Sequence, residues 1–318
     1  MIAFGCAITK PDVYRIGAQP GIERAAQDGS EILALPAIGS IFTSYNALID
    51  RAAQCPDLEA LVLVHQDTEI VDEDFCERVR VALSNPDVGL VGCVGAVGVR
   101  SIAWWEGSVT SASFIHRYDD HGGGDLPAFS WAWGEAPPYA RVGEVDTLDG
   151  FLLVLSPWVV DNVRFDESLG EFHGYDFDFC LQVRDAGRKV VTADFRAIHH
   201  HSLQPFNDPE PWIAAHVRVA EKWDGRIAGV GTAAGDWSER ALRAEAVRDA
   251  AKLLDYANGL KFQAQVRELE RALEEAKASV SWRITAPLRW LSKLRYRSAP
   301  RAQVTVQQGV ARVEPHQR

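Results

Sequence analysis

Short apolar runs separated by helical patterns fill the first hundred residues. Residues 2–8, 31–36, 58–64 and 88–94 read as strands, and 58–64 ends in an unbroken apolar run. Between them, residues 22–27, 41–53 and 70–83 carry helical spacing. Strands alternating with helices predict an α/β fold with a mostly parallel sheet covered on both faces. From 103 to 140 this regularity lapses. Trp104, Trp105, Trp131 and Trp133 sit among glycines and prolines, including Gly122, Gly123 and Gly124. That composition predicts irregular loop with short strands beside a site. Order returns with a strand over 145–156, a helix over 175–185, a strand over 189–191 and a helix over 211–222.

Glycines at 229, 231 and 235 mark a flexible linker. Beyond it, residues 236–280 are rich in Ala, Glu, Arg and Leu. Val266, Leu269, Leu273, Ala276 and Val280 alternate three- and four-residue spacings. Such a stripe is either a coiled-coil seam, through which the chain would pair with a second copy, or the apolar face of one helix folded back on its domain. The expected layout is a catalytic domain over 1–228, a linker over 229–235, a helical segment over 236–280 and a basic amphipathic tail over 281–318.

Charge sharpens that division. Residues 281–313 hold six Arg, one Lys and no acid, which leaves the rest of the chain near −18 out of a total of −11. An acidic body argues against nucleic acid as a partner. The tail interleaves Trp282, Ile284, Leu288, Trp290, Leu291 and Leu294 with Arg289, Lys293, Arg295 and Arg297. That mixture suits an anionic membrane surface, or docking against the chain's own acidic body. No run of about 18 apolar residues reads as a membrane span, and residues 1–5 read as the start of a buried strand rather than a secretory leader. The five cysteines (Cys6, Cys55, Cys76, Cys93, Cys180) form no C-x-x-C pair. Dispersed cysteines of this kind imply reduced thiols. The expectation is a cytoplasmic protein, peripheral on the inner face of the membrane where the tail engages it.

Several segments carry candidate chemistry. Val64 leads from a buried strand into His65-Gln66-Asp67, and ligands of open α/β sheets bind beyond the carboxyl ends of strands. Asp67 is placed either to hold Mg²⁺ or Mn²⁺ on a diphosphate or to cap the next helix. Asp176 and Asp178 fall at the start of the helix over 175–185. There a carboxylate either serves as a base or complements the helix dipole. Spaced by two, only one of them faces a given cleft. In His199-His200-His201, alternation along an extended segment sets His200 opposite its two neighbours, so the three cannot share one metal. Tyr45-Asn46 and Asp149-Gly150 complete the set. Asn46 either contacts a nucleotide or satisfies a backbone group, and Gly150 either admits an acceptor or relieves a bend.

Taken in order, these segments resemble family 2-like glycosyltransferases of the GT-A fold, in particular a bacterial subgroup with a shortened nucleotide-binding half. The resemblance covers residues 1–225. It rests on Tyr45-Asn46, His65-Gln66-Asp67, Asp149-Gly150-Phe151-Leu152, Arg164-Phe165-Asp166-Glu167, the run from Tyr175-Asp176 to Cys180-Leu181, and His200-His201-Ser202. It implies a Rossmann-like mixed, mostly parallel sheet with a C-terminal helical extension, and a metal-dependent, inverting transfer. The sugar would pass from a nucleotide-diphosphate sugar to a hydroxyl acceptor, such as a lipid-linked glycan, in cell-surface polysaccharide or glycolipid synthesis. Asp67 matches the last acid of the D-x-D-type motif, which binds a divalent metal (Mn²⁺ or Mg²⁺) and the donor diphosphate. Tyr45, Asn46, His65 and Gln66 join it on the donor side. Asp176 matches the acid expected to be the catalytic base, and His200 the late histidine that helps hold metal or phosphate. Asp149, Gly150, His173 and Tyr175 fall on the acceptor side. The chain departs from the family pattern at two of these places: His65 stands where the first Asp of D-x-D is usual, and Tyr175 where the first acid beside Asp176 is usual.

Two other classes use a similar sheet. A nucleotidyltransferase would need a glycine-rich, basic phosphate loop after the first strand, and residues 17–21 carry no lysine or arginine. A non-catalytic carbohydrate-binding or scaffold protein is the reading that the substitution at His65 favours.

Overall fold

The computed structural model describes residues 1–99, 102–103, 108–112, 114–117, 125–127, 143–200, 209–223, 226 and 237–285. The linker at 229–235, the tail from 286, His201 and the tryptophans at 104, 105, 131 and 133 lie outside the described residues.

The elements follow the apolar pattern closely at first. Strand β1 is Ile2–Ile8, followed by helices α1 (Pro11–Ile16) and α2 (Ala18–Ala25), β2 (Glu31–Pro36), α3 (Ile41–Ala52) and β3 (Ala60–Val64). A short strand β4 (Thr68–Ile70) precedes α4 (Phe75–Ala82), β5 (Val88–Gly92) and β6 (Val94–Val97). Then come β7 (Ser108–Ala112), β8 (Phe114–Arg117), β9 (Asp125–Pro127), β10 (Gly143–Glu144), β11 (Thr147–Leu148) and β12 (Leu152–Leu155). Helix α5 (Pro157–Asn162), α6 (Tyr175–Asp185), β13 (Lys189–Thr192), β14 (Ala197–His200), α7 (Glu210–Lys222), α8 (Trp237–Ala278) and α9 (Val280–Ile284) complete the chain.

Among the described residues the main sheet has seven strands in the order β10-β13-β5-β12-β3-β1-β2. Strands β1, β2 and β3 are mutually parallel, and β13 is parallel to β5. Strand β12 runs antiparallel to both β3 and β5 and fills the gap between them. Five strands therefore share one direction while β12 and β10 oppose it, giving a mixed, mostly parallel sheet. Every residue of β3, β5 and β12 is buried. Strands covered on both faces lose the two-residue alternation, so they appear in the sequence as continuous apolar runs.

Helix α3 shows why such a segment folds locally. The Ser40 hydroxyl caps it by accepting from Thr43 N at 3.1 Å. Phe42, Tyr45, Leu48, Ile49 and Ala52 then place their side chains in the core at three- and four-residue spacing. A four-stranded sheet, β4-β14-β8-β9, stands beside the end of β3, and a three-stranded one, β11-β6-β7, holds the stretch before β12.

Two sequence expectations change. The helix expected over 70–83 begins only at Phe75, because Thr68–Ile70 pairs antiparallel with β14. The single strand expected over 145–156 is two: Thr147–Leu148 pairs with β6, Leu152–Leu155 joins the main sheet, and Asp149-Gly150-Phe151 bridges them.

The chain divides into two compact units, Met1–Gln265 and Val266–Arg318. In the first, Leu260 and Ala264 of α8 are buried. In the second, Leu269, Leu273 and Val280 are exposed, and Ser279 alone separates the end of α8 at Ala278 from α9. No helix of the described residues is long and apolar enough to cross a membrane.

Candidate active site

The polar cluster lies where β3 ends. There the sheet loses its last ladder pair, and the chain turns through His65, Gln66 and Asp67 into β4. Since β12 is antiparallel to β3, the entry to β12 meets this exit. Leu152 pairs with Val64, and His65 N donates to Phe151 O at 2.9 Å. Strand β14 approaches from the other side, with His199 opposite Thr68. His200 N donates to Asp67 O at 2.8 Å.

These three approaches bring His65, Asp67 and His199 together, with one ligand atom from each within 4.8 Å of the others. Asp67 Oδ1 is 3.9 Å from His65 Nδ1 and 3.6 Å from His199 Nε2. Phe151 stacks on His199 with ring centroids 4.7 Å apart and an interplanar angle of 19°, which fixes the imidazole plane. Burial pushes the His65 imidazole down to about 4, against the pull of Asp67, so the ring is neutral at pH 7. Two imidazoles and a carboxylate form a donor set that fits a divalent transition ion.

The late histidine of this group is thus His199, not His200. Alternation along β14 turns His200 away, and its Nε2 faces Glu69 Oε2 at 3.5 Å. The signal that would have found it is phase. Ala197 and His199 share the buried side of β14, while Ile198 and His200 are half-buried on the other.

Around this group the carboxylates separate by role. Asp176 sits half-buried in the first turn of α6, after Gly174, whose φ of 80° at the helix start is left-handed. Its Oδ2 accepts from Gly150 N at 3.0 Å and its Oδ1 from Phe177 N at 2.8 Å. Burial, reinforced by the charge of Asp149, raises the Asp176 carboxyl from 3.8 to about 7. Asp149, also raised by burial, takes Phe151 N on Oδ1 at 3.4 Å. Asp178 faces the other way. It is fully buried and receives Lys222 Nζ at 2.8 Å, Trp223 Nε1 at 2.8 Å and Gln182 Nε2 at 2.7 Å. It fastens α6 to the end of α7, and Asp176 alone is left beside Asp149 and Gly150.

Tyr175 enters from the same turn. Its hydroxyl is 2.7 Å from His65 Nε2, and its ring meets Tyr45 edge-on at 5.7 Å. Gly150 makes room for it, since a Cβ there would lie 2.1 Å from the Tyr175 oxygen. Gly150→Ala is therefore expected to push the Tyr175 ring aside. The cost is about 1–3 kcal/mol, typical of overpacking, read as a lower denaturation midpoint with an unchanged m-value.

The remaining expected site residues take structural positions. Tyr45 is fully buried beneath His65 and Tyr175, and its hydroxyl has no hydrogen-bond partner among the described residues. The Asn46 amide is spent on the segment after α5: Phe165 N donates to its Oδ1 at 2.8 Å, and its Nδ2 donates to Phe165 O and to Glu167 Oε1, both at 2.9 Å. Gln66 takes Thr9 N and Lys10 N on Oε1 at 3.0 and 2.8 Å and clamps the exit of β1. His173 is half-buried, with its imidazole pushed down to about 4 by burial. Between it and His65 lies Phe172, which is 45% exposed, 5.2 Å from His173 and 6.4 Å from His65. Nothing in the residue pattern around Phe172 marks that aromatic surface.

The family profile described as "Glycosyltransferase like family" matches residues 26–222. The chain belongs to this glycosyltransferase-like family, and it is an enzyme of glycosyl transfer. It is similar to the streptomycin biosynthesis protein StrF of Streptomyces griseus, at 28% identity over 219 residues covering 67% of this chain and 71% of that protein. It is similar also to the O-antigen biosynthesis protein RfbC of Myxococcus xanthus, at 28% identity over 175 residues, which span 53% of this chain and 13% of that much longer protein. Among solved structures, a mannosyltransferase of Pyrobaculum calidifontis in complex with GDP-Man and Mn²⁺ superposes with a TM-score of 0.42 at 13% identity, covering 93% of this chain and 80% of that one.

Proposed function

We propose that the chain is a metal-dependent, inverting glycosyltransferase that takes its sugar from a nucleotide-diphosphate donor. The observation that carries this reading is the grouping of His65, Asp67 and His199 at the end of β3, with Asp176 held separately at the start of α6. The first group fits a divalent cation and so the donor diphosphate. When bound, that cation neutralises charge on the departing nucleoside diphosphate.

The chain's own residues do the rest. Asp176 is fixed by two backbone N–H groups, which hold its carboxylate in one orientation. It takes the proton of the acceptor hydroxyl as that oxygen attacks the anomeric carbon, while the bond from this carbon to the diphosphate oxygen breaks on the opposite face. Asp149, beside it, raises its affinity for that proton. Phe172 offers an exposed aromatic face on which an acceptor sugar can lie. The names of the two relatives support a biosynthetic setting, and we place the acceptor hydroxyl on a glycan under assembly, lipid-linked where the product is a surface polysaccharide.

The deciding experiment is a thermal-shift panel of nucleoside diphosphates and their sugars, with and without Mn²⁺, because a ligand stabilises the state it binds. The expected result is a rise in Tm that needs both nucleotide and metal and is absent in Asp67→Asn, whose own Tm stays near wild type. Unchanged calorimetric affinity for the Mn²⁺–nucleotide pair in Asp67→Asn overturns the assignment. Stabilisation by nucleoside triphosphate with pyrophosphate-dependent turnover would instead make the protein a nucleotidyltransferase.

A further inference from the structure

Two of the residues that depart from the pattern of the resemblance lie against each other. His65 and Tyr175 are 110 residues apart in sequence, yet His65 Nε2 and the Tyr175 hydroxyl are 2.7 Å apart. A contact of that length ties the imidazole tautomer to the direction of the phenol's hydrogen bond, and two arrangements are possible. If the phenol donates, the proton sits on Nδ1 and an N–H points toward Asp67. If Nε2–H donates, Nδ1 presents a lone pair there instead.

The spacing around Asp67 separates the two. His65 Nδ1 and His199 Nε2 stand 3.9 and 3.6 Å from Asp67 Oδ1, beyond hydrogen-bond length. A proton on Nδ1 would thus gain no hydrogen bond to that oxygen. Metal bonds of about 2.0–2.2 Å put neighbouring ligands roughly 3.0–3.5 Å apart, and the two distances to Asp67 Oδ1 come within a few tenths of an ångström of that spacing.

We infer that Tyr175 is a positioning residue that accepts a hydrogen bond from His65 Nε2–H and so turns the Nδ1 lone pair to a divalent cation shared with Asp67 and His199. The inference rests on the metal-dependent reading above. Metal-bound imidazoles characteristically donate their other N–H to an oxygen partner, and Tyr175 supplies that oxygen. Gly150 belongs to the same arrangement, because any side chain there would displace the phenol. The consequence is selectivity. Mg²⁺ prefers oxygen ligands and keeps its waters, whereas two imidazoles and one carboxylate favour Mn²⁺, Co²⁺ or Zn²⁺.

The test uses the full chain and the metals alone. Calorimetry gives the affinities for Mn²⁺ and Mg²⁺, and pulsed electron paramagnetic resonance of bound Mn²⁺ counts its nitrogen couplings. The wild type is expected to prefer Mn²⁺ by about tenfold or more and to show two imidazole couplings. His65→Asp keeps Mn²⁺, shows one coupling and narrows the preference. Tyr175→Phe keeps its ring packed on Tyr45 and weakens Mn²⁺ binding about 10–100-fold, the usual effect of losing such a partner. A merely structural role would lower Tm and leave the Mn²⁺ affinity unchanged. Equal coupling counts in wild type and His65→Asp, or an unaltered Mn²⁺ affinity in folded Tyr175→Phe, overturns the inference. Should Tyr175→Phe not fold, the His65→Asp comparison decides alone. Mn²⁺ bound through Asp67 with a single nitrogen coupling sinks only this inference, whereas no binding by the wild type sinks the metal-dependent reading with it.

Discussion

Asp176→Asn is expected to lower kcat by about 10²–10⁴-fold, the range for losing a general base, while donor affinity stays nearly unchanged. The amide keeps one acceptor oxygen for Gly150 N or Phe177 N and turns its NH2 group to the other, so the turn loses one hydrogen bond along with the proton acceptor. Burial and Asp149 raise this carboxyl to about 7, so the wild-type kcat/KM should climb as pH rises through 7 and then level, and that limb should vanish in the variant. Stability moves in the opposite sense. Between 3.8 and 7 the folded protein keeps a proton that the unfolded chain has released, so the stabilisation from this group is complete below 3.8 and fades as pH rises to 7. At pH 8 Asp176→Asn should consequently melt no lower than the wild type. A functional base kept at a cost in stability behaves this way, and a structural carboxylate does not. Near-wild-type turnover in Asp176→Asn would remove Asp176 from the mechanism.

Asp178→Asn is expected to show the converse. It breaks the pairing of a fully buried carboxylate with Lys222 and weakens its bonds to Trp223 and Gln182. The loss is about 3 kcal/mol, at the low end for a broken buried pair, because Asp166 still holds Lys222 at 2.7 Å. In a domain of this size that is roughly 6–12 °C in Tm, measurable by calorimetry. Enzyme that remains folded at low temperature should turn over normally. If the inactive variant is Asp178→Asn instead, the two carboxylates have been assigned the wrong way round.

The two aspartates also mark what could be read from the chain and what could not. Their spacing showed that they face apart, but choosing between them needed Lys222 and Trp223, which arrive from α7. The strands β1 and β3 and the helices α3 and α6 were legible because burial is written into their own residues. The three-residue strand β4 was not, since its reason for existing is β14, some 130 residues later. Likewise Asp149-Gly150-Phe151 hides inside one apolar run, because the segments on either side are both buried although they belong to different sheets. Asn46 read as a nucleotide contact or a backbone partner, and only the position of Phe165 decides for the second. His199 and His200 carry the same side chain, so the pairing register of β14 alone chooses between them.

The placement of β12 also bears on how the chain is made. On a growing polypeptide β1, β2 and β3 can pair as soon as they emerge, but β3's other neighbour is β12. Strand β5 has to wait longer still, since both its partners, β12 and β13, come after it in the chain. From Val64 to Leu152 the ribosome adds about 90 residues, which takes roughly 5–18 s at 5–20 residues per second. Throughout that interval Ala60-Leu61-Val62-Leu63-Val64 presents an unpaired apolar edge, the kind of strand that recruits other chains. The geometry that later sets the entry of β12 beside Asp67 makes the nascent protein depend on being shielded until its central strand arrives.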